Sequence, residues 1–318
     1  MSQSDPPDLF SSAESVPPEP DPSKPPESSS KAVGGTAKPD EGLHAVVVGA
    51  AGYTGGETLR LLLHHPGIAR ITAMSTSQAG RPWSHAHPDL LGVSHENFTD
   101  RLPENPDVLV LCMGHGRSRA FLDQHASAIP PQAGVIDLAT DFRHAENALH
   151  EASGRAFRYG LPEFHGSALA GHRSVANPGC FATAIQLALA PLAAAGWLDG
   201  PVHLQATTGS TGAGQEPSRT THFSWRSANL SVYKPFTHQH LTEIREQLAG
   251  LAGVGEPDLP TLEFIPHRGA FARGIHVAAT LNLPGEELDV EAAYRAFYAD
   301  APFTHLAPSL PDLKAVVN

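Results

Sequence analysis

The chain has 318 residues, length enough for two domains, and 41% of them are hydrophobic, which supports ordinary packed cores. A formal net charge of −12 excludes a surface that neutralises nucleic-acid phosphates, and two cysteines exclude a disulfide framework. No apolar run approaches the roughly 20 residues that span a bilayer, so the totals fit a globular enzyme of a reducing cytoplasm, with no membrane partner.

Residues 1–42 differ in kind. Proline pairs at 6–7, 17–18 and 25–26, a serine run at 28–30 and very few aliphatic residues predict a disordered tail, because such a segment cannot bury enough apolar surface to offset its ordering entropy. It lacks the apolar core of a secretory signal.

From Leu43 the pattern becomes that of alternating strands and helices. The run 43–48 predicts a strand, residues 49–56 carry glycines at G-x-x-G-x-x-G spacing (Gly49, Gly52, Gly55), and residues 57–65 predict a helix. Strand, glycine turn and helix in that order can lay a pyrophosphate on free backbone N–H groups, and Gly49, Gly52, Tyr53, Thr54 and Gly55 are the candidate contacts; a tight turn with no ligand is the alternative. After a second strand at 69–75, the loop Ser75-Thr76-Ser77-Gln78-Ala79-Gly80-Arg81 has no carboxylate for a ribose 2′-hydroxyl. Ser75, Ser77 and Arg81 instead suit a 2′-phosphate, which favours NADP(H) over NAD, with an ordinary polar loop as the alternative.

Continuous apolar runs at 107–114 and 134–138 predict further strands of a parallel sheet, with Cys112 inert among aliphatic neighbours. Arg143, just beyond the second run, either holds a substrate phosphate or staples its loop to Asp141 or Asp137.

Asn177-Pro178-Gly179-Cys180 then delivers a thiol to the start of an apolar helix predicted over 181–192. The positive end of the helix dipole should favour a thiolate there, which makes Cys180 a candidate nucleophile; a small buried hydrophobe is the alternative.

Downstream, a strand at 202–208 opens into the glycine and hydroxyl loop 209–214, which either donates to an anion or simply turns. His238 and His240, near the start of a helix predicted from about Thr237, are candidate bases for Cys180 or ordinary surface residues; a metal site is disfavoured because no further ligands recur at a recognisable spacing. Arg268 and Arg273 precede an alternating strand at 277–283 and suit an anionic substrate, or face solvent or bind the domain's own carboxylates.

Taken together, Gly49-Ala50-Ala51-Gly52-Tyr53-Thr54-Gly55, Asp141-Phe142-Arg143, Tyr159-Gly160-Leu161-Pro162-Glu163, Asn177-Pro178-Gly179-Cys180-Phe181-Ala182-Thr183, Gly209 to Gly214, Tyr233-Lys234 with His238-Gln239-His240, and Arg273-Gly274-Ile275 resemble the N-acyl-γ-glutamyl-phosphate reductases of arginine biosynthesis, within the semialdehyde dehydrogenase superfamily. The resemblance runs from Leu43 to Asn318. It implies that Cys180 attacks an acyl phosphate, that inorganic phosphate leaves, and that the thioester accepts hydride from NADPH to give the γ-semialdehyde. It also implies that His240, or His238 close behind it, handles the proton, with His267 a third candidate, and that Arg143, Asn177, Ser210, Gly212 and Arg273 lie near substrate. Two departures stand out. Many relatives have His-Arg-His where this chain has His238-Gln239-His240, and relatives continue beyond the point matching Asn318 with a strand, an Asp-Asn-x-x-x-Gly segment and a long helix that packs on the nucleotide domain.

The resulting expectation is an α/β protein: a tail over 1–42, a Rossmann-type NADP domain over 43–177, and an α+β catalytic and self-association domain with a mixed sheet over 178–318, apparently truncated and assembling as a dimer or tetramer. The expected activity is NADPH-dependent reduction of N-acetyl-glutamyl phosphate. The alternatives are an N-succinyl substrate, to which arginines 219, 226, 268 and 273 lend weight, a carrier-bound aminoadipyl phosphate, aspartyl phosphate, or a non-catalytic NADP-binding module.

Overall fold

The computed structural model describes residues 42–316, so all but the last residue of the proline-rich tail lies outside the described part. Strand β1 (Leu43–Val48) is an unbroken apolar run, and Ala45, Val46 and Val47 have no exposed surface. Such a strand is stable only with both faces covered, as at the centre of a parallel sheet. Helix α1 (Tyr53–Leu63), β2 (Ile68–Met74), β3 (Val108–Leu111), α2 (Ser118–His125) and β4 (Gly134–Asp137) follow. A small antiparallel pair, β5 (Leu149–His150) and β6 (Arg155–Ala156), precedes β7 (Arg158–Tyr159), α3 (Pro162–Leu169) and β8 (Ser174–Ala176). The six-stranded sheet runs β2-β1-β3-β4-β8-β7 with every pairing parallel. Its strand order changes direction beside β1, and the carboxyl ends of β1, β3, β4 and β8 share one edge, where open α/β sheets bind ligands.

Helix α4 (Cys180–Ala194) starts four residues after β8 and carries the chain into a second core. There β9 (Asp199–Thr208), α5 (Phe223–Arg226), β10 (Ser231–Val232), α6 (His240–Ala252), β11 (Leu262–Arg268), β12 (Ile275–Asn282) and α7 (Val290–Phe297) follow in order. The sheet runs β10-β11-β9-β12 and is mixed: β11 lies parallel to β9, while β12 and β10 are antiparallel to their neighbours. Phe181, Ile185 and Leu189 of α4 pack with Ile244 and Leu248 of α6 over Val202, Leu204 and Phe264 of the sheet.

Proline within α4 has a visible consequence. Pro191 has no N–H to give the carbonyl of Leu187, and the Tyr298 hydroxyl donates to that oxygen at 2.6 Å. Tyr294, on α7, donates likewise to the carbonyl of Ala188. The strands fall within two residues of expectation at most ends, but α1 begins at Tyr53, four residues earlier than the sequence pattern indicates. Gly55 and Gly56 belong to the helix because a side chain at either would collide: a Cβ at Gly55 would lie 2.6 Å from Ala50 Cα, and one at Gly56 2.5 Å from the His87 ring.

Candidate active site

The glycine turn after β1 is built from backbone. Gly49 has φ +78°, and a Cβ there would meet the Cys112 carbonyl at 2.7 Å, so glycine is required for both conformation and space. Gly52 caps α1 with its own N–H bonded to Gly49 O at 3.1 Å, and no side chain caps the helix. The amides of Tyr53, Thr54 and Gly55 therefore open the first turn without helical acceptors, which is where an anion sits. His87, buried at 4% exposure, holds this turn from behind: its Nε2 donates to Ala50 O at 2.8 Å while its ring packs on Gly56. This support was not legible in the sequence. Ser75 is buried and its hydroxyl lies 3.4 Å from that of Ser77, whereas Ser77 and Arg81 are exposed, with Arg81 Nη1 2.6 Å from His85 Nε2. Cys112 is half-buried beside Thr58, and burial pushes its thiol up to about 11, so it is the inert cysteine.

The thiol side is built from side chains. Cys180 is the first residue of α4, exposed at the sheet edge, with Gly179 as the helix cap. Glu243, one turn into α6 and 2% exposed, is the centre of the arrangement. Its carboxylate accepts from Arg143 Nη1 at 3.1 Å, the Tyr159 hydroxyl at 2.9 Å and the Gly179 amide at 3.1 Å. Gln186 of α4 donates to the Tyr159 oxygen at 2.8 Å. Four elements are thereby tied to the residue preceding the thiol.

His240 lies against the same glycine. A Cβ at Gly179 would be 2.4 Å from His240 Nε2 and 2.7 Å from Glu243 Oε1, so only glycine allows this approach. His240 Nε2 is 3.8 Å from Glu243 Oε1, and its Nδ1 is buried with no partner among the described residues. Burial, followed by the neighbouring charges of His238 and Arg143, lowers its pKa to about 3, which leaves a neutral imidazole at physiological pH. His238 is equally buried, edge-on to Phe181, Tyr233 and Phe264, and its Nδ1 accepts from the backbone N–H of His240 at 3.2 Å. It holds the start of α6, and of the two histidines His240 is the one set against Gly179. His267 shares the alternation of Glu263 and Ile265 on β11, the sheet face turned away from the buried Phe264.

Two expectations are corrected. The helix start was to favour the thiolate, yet the thiol pKa is raised: desolvation by the surrounding protein outweighs the Phe181 amide and the Arg143 charge that pull it down. Arg143 neither waits for phosphate nor pairs with Asp141 or Asp137; it is 4% exposed and fully engaged by Glu243, Asn177 O at 2.9 Å and Leu138 O at 2.9 Å. Arg273 is exposed and spans to Glu57 of α1 at 2.9 Å. The Asn177 side chain bonds Pro178 O at 3.0 Å. The loop holding Ser210 and Gly212 is fixed to 271–272 through Ser210 and Thr211 amides, and Gln215 beyond it donates to Ala51 O at 3.1 Å. The chain just beyond the 209–214 loop thus reaches the glycine turn. Glu243 is the functional residue that sequence reasoning missed; its one-turn spacing from His240 was the available signal.

A thiol at a helix start, a neutral imidazole against the glycine that precedes it and a glycine turn with open helix-start amides on the same sheet edge fit a dinucleotide-dependent oxidoreductase. Residues 44–172 match the family model for the semialdehyde dehydrogenase NAD binding domain, and residues 180–318 that for the semialdehyde dehydrogenase dimerisation domain. N-acetyl-gamma-glutamyl-phosphate reductases of Christiangramia forsetii and Flavobacterium johnsoniae are 43% and 45% identical over 87% and 86% of this chain and 83% and 82% of theirs. The chain therefore belongs to the N-acetyl-gamma-glutamyl-phosphate reductase branch of the semialdehyde dehydrogenase family. Its fold also resembles aspartate semialdehyde dehydrogenase II complexed with ASA from Vibrio cholerae, with a TM-score of 0.61 at 13% identity over 86% of this chain and 83% of that one.

Proposed function

We propose that the chain reduces N-acetyl-L-glutamyl 5-phosphate to the 5-semialdehyde with NADPH, reversibly, through a thioester on Cys180. The observation that carries the reading is the convergence of Cys180, Gly179, His240 and Glu243 at the carboxyl edge of the nucleotide-type sheet. The sulfur attacks the acyl carbon, an S–C bond forms as the C–O bond to phosphate breaks, and inorganic phosphate leaves. The thiol proton leaves as the sulfur attacks, and neutral His240, set against the adjacent Gly179, is the base that takes it. Once the thioester carbon has accepted hydride, the C–S bond breaks as the carbonyl re-forms, the semialdehyde leaves, and His240 returns the same proton to the Cys180 sulfur. Glu243 orients both partners by holding the Gly179 amide and standing beside His240.

Gly49, Gly52 and Gly55 fit a dinucleotide because they leave the α1 amides clear, and bound NADPH supplies hydride to the thioester carbon. The absence of a carboxylate between Ser75 and Arg81 supports NADP(H) over NAD. A boundary near 177–178, self-association through the second domain, and a cytoplasmic setting that keeps Cys180 reduced belong to the same reading; the two family matches on either side of that boundary support the first two.

The test is phosphate-dependent reduction of NADP with N-acetyl-glutamate semialdehyde. Wild type turns over, Cys180→Ser does not, and NAD replaces NADP poorly; turnover by Cys180→Ser overturns the mechanism.

A further inference from the structure

We propose that Arg226 and Arg268 form a carboxylate-binding subsite on the Tyr233 side of Cys180, engaging a carboxylate of the substrate away from the reacting carbon; this rests on the reductase reading above. Arg226 closes α5 and is 5% exposed, yet only its Nη1 is engaged, donating to Ser231 Oγ at 3.0 Å. Its Nε and Nη2 are buried with no partner among the described residues, and so is the Nε of half-buried Arg268.

The two arginines are brought together by the sheet edge. Ser231 stands directly opposite Arg268 in the β10–β11 ladder, so their Cβ atoms share a face roughly 5 Å apart. Arg268 continues the Leu262, Phe264, Pro266 alternation that faces α4. Its guanidinium carbon lies 4.8 Å over the Tyr233 ring, and that ring is 6.4 Å from Phe181, the residue after Cys180. A cationic strip thus runs from beside the thiol to Arg226.

Leaving guanidinium donors buried without acceptors is costly. The chain carries 33 acidic against 21 basic residues, so no shortage of carboxylates explains it. Arg143, equally buried, is paired with Glu243; among the described residues Arg226 has no acid partner. The planar forks match a carboxylate. The phosphoryl group sits on the carbon that meets sulfur, whereas Arg226 is separated from Cys180 by Tyr233 and Arg268 and meets the far end of the substrate.

That carboxylate is either the α-carboxylate shared by all N-acyl-glutamyl substrates or the extra carboxylate of an N-succinyl group, and the assay separates them. Arg226→Gln and Arg268→Gln are compared with wild type on N-acetyl- and N-succinyl-glutamate semialdehyde, with NADP and phosphate. The expected result is a semialdehyde KM raised about tenfold or more, the loss of a charge-assisted hydrogen bond, with kcat and the KM values for NADP and phosphate unchanged. An equal rise on both substrates assigns the α-carboxylate, and a rise confined to the succinyl substrate assigns the acyl carboxylate. Unchanged KM for every semialdehyde, a raised phosphate KM instead, or an altered oligomeric mass without a KM change overturns the proposal. If Arg226→Gln does not fold, half-buried Arg268→Gln carries the test. Should wild type turn over neither semialdehyde, the reductase reading fails separately. Calorimetric binding of N-acetyl- and N-succinyl-glutamate then decides the subsite: affinity weakened in Arg268→Gln sustains it, and binding that is absent or unchanged overturns it.

Discussion

The two sides of the catalytic edge are made of different material. On the nucleotide side, Gly49, Gly52 and Gly55 present backbone amides, and His87 and Gln215 brace that turn by donating to the carbonyls of Ala50 and Ala51. On the thiol side, Arg143 from a loop, Tyr159 from β7, Gln186 from α4 and both His240 and Glu243 from α6 build one network on a single glycine. A backbone site tolerates changes around it because its donors come with the fold. A buried side-chain hub fails when one charge is removed, because the remaining groups are left desolvated and unpaired.

Glu243→Gln should break that contrast most strongly. It leaves the Arg143 guanidinium buried without its counter-charge, a loss of about 3 kcal/mol in unfolding free energy. It also frees His240 and Gly179, with a fall of about 100-fold in kcat/KM against unchanged NADPH affinity. Denaturant melts and steady-state kinetics measure both, and a variant with wild-type kcat/KM would remove Glu243 from the mechanism.

Asp137 sharpens the comparison from the sheet edge between the two sides. It is fully buried, accepts from Ser118 Oγ at 2.5 Å and the Ala139 amide at 3.1 Å, and its Oδ2 has no partner among the described residues. Burial raises its pKa from 3.8 to about 6. The folded state therefore holds the proton longer than the unfolded chain, and stability drains away as pH rises from about 4 to about 6, by about 3 kcal/mol. Asp137→Asn keeps the accepting oxygen and should melt higher than wild type at pH 8 but not at pH 4. His238 and His240 act with the opposite sign: their pKa values are lowered from 6.5 to about 4 and about 3, so their contribution is intact above pH 6.5 and lost as pH falls toward 3. A wild-type minus Asp137→Asn difference curve that is flat between pH 4 and 8 would contradict the assignment.

The smallest effect belongs to the backbone side. His87→Leu removes one donor to Ala50 O and should raise the NADPH Kd about fivefold, while His87→Gln, which keeps a donor at that reach, should restore most of it. Fluorescence titration of NADPH distinguishes them, and equal affinities in both variants would show that packing on Gly56 is all the ring provides.

This asymmetry also explains what could be read in advance. β1, the glycine turn and α4 follow from local patterns, since a continuous apolar run, glycine spacing and a turn before an Ala- and Leu-rich segment each encode their own geometry. The thiol pKa did not follow: the helix dipole is a local property, but the desolvation that overrides it comes from residues distant in sequence. For Arg143 the local sequence offers a phosphate or the nearby Asp141 or Asp137, whereas its carboxylate partner is 100 residues away. Glu243 looked like an ordinary helix carboxylate, and only the docking of α6 on Gly179 gives it three donors. His87 was one of 19 histidines, and nothing local tied it to Ala50.

The most direct test is to catch the acyl group on sulfur. Mixed with N-acetyl-glutamate semialdehyde and NADP but no phosphate, the protein should form one NADPH per chain and carry a single acyl mass on the peptide containing Cys180, which inorganic phosphate then discharges. NADPH formed with no adduct on Cys180, or an adduct that phosphate does not release, would contradict the account.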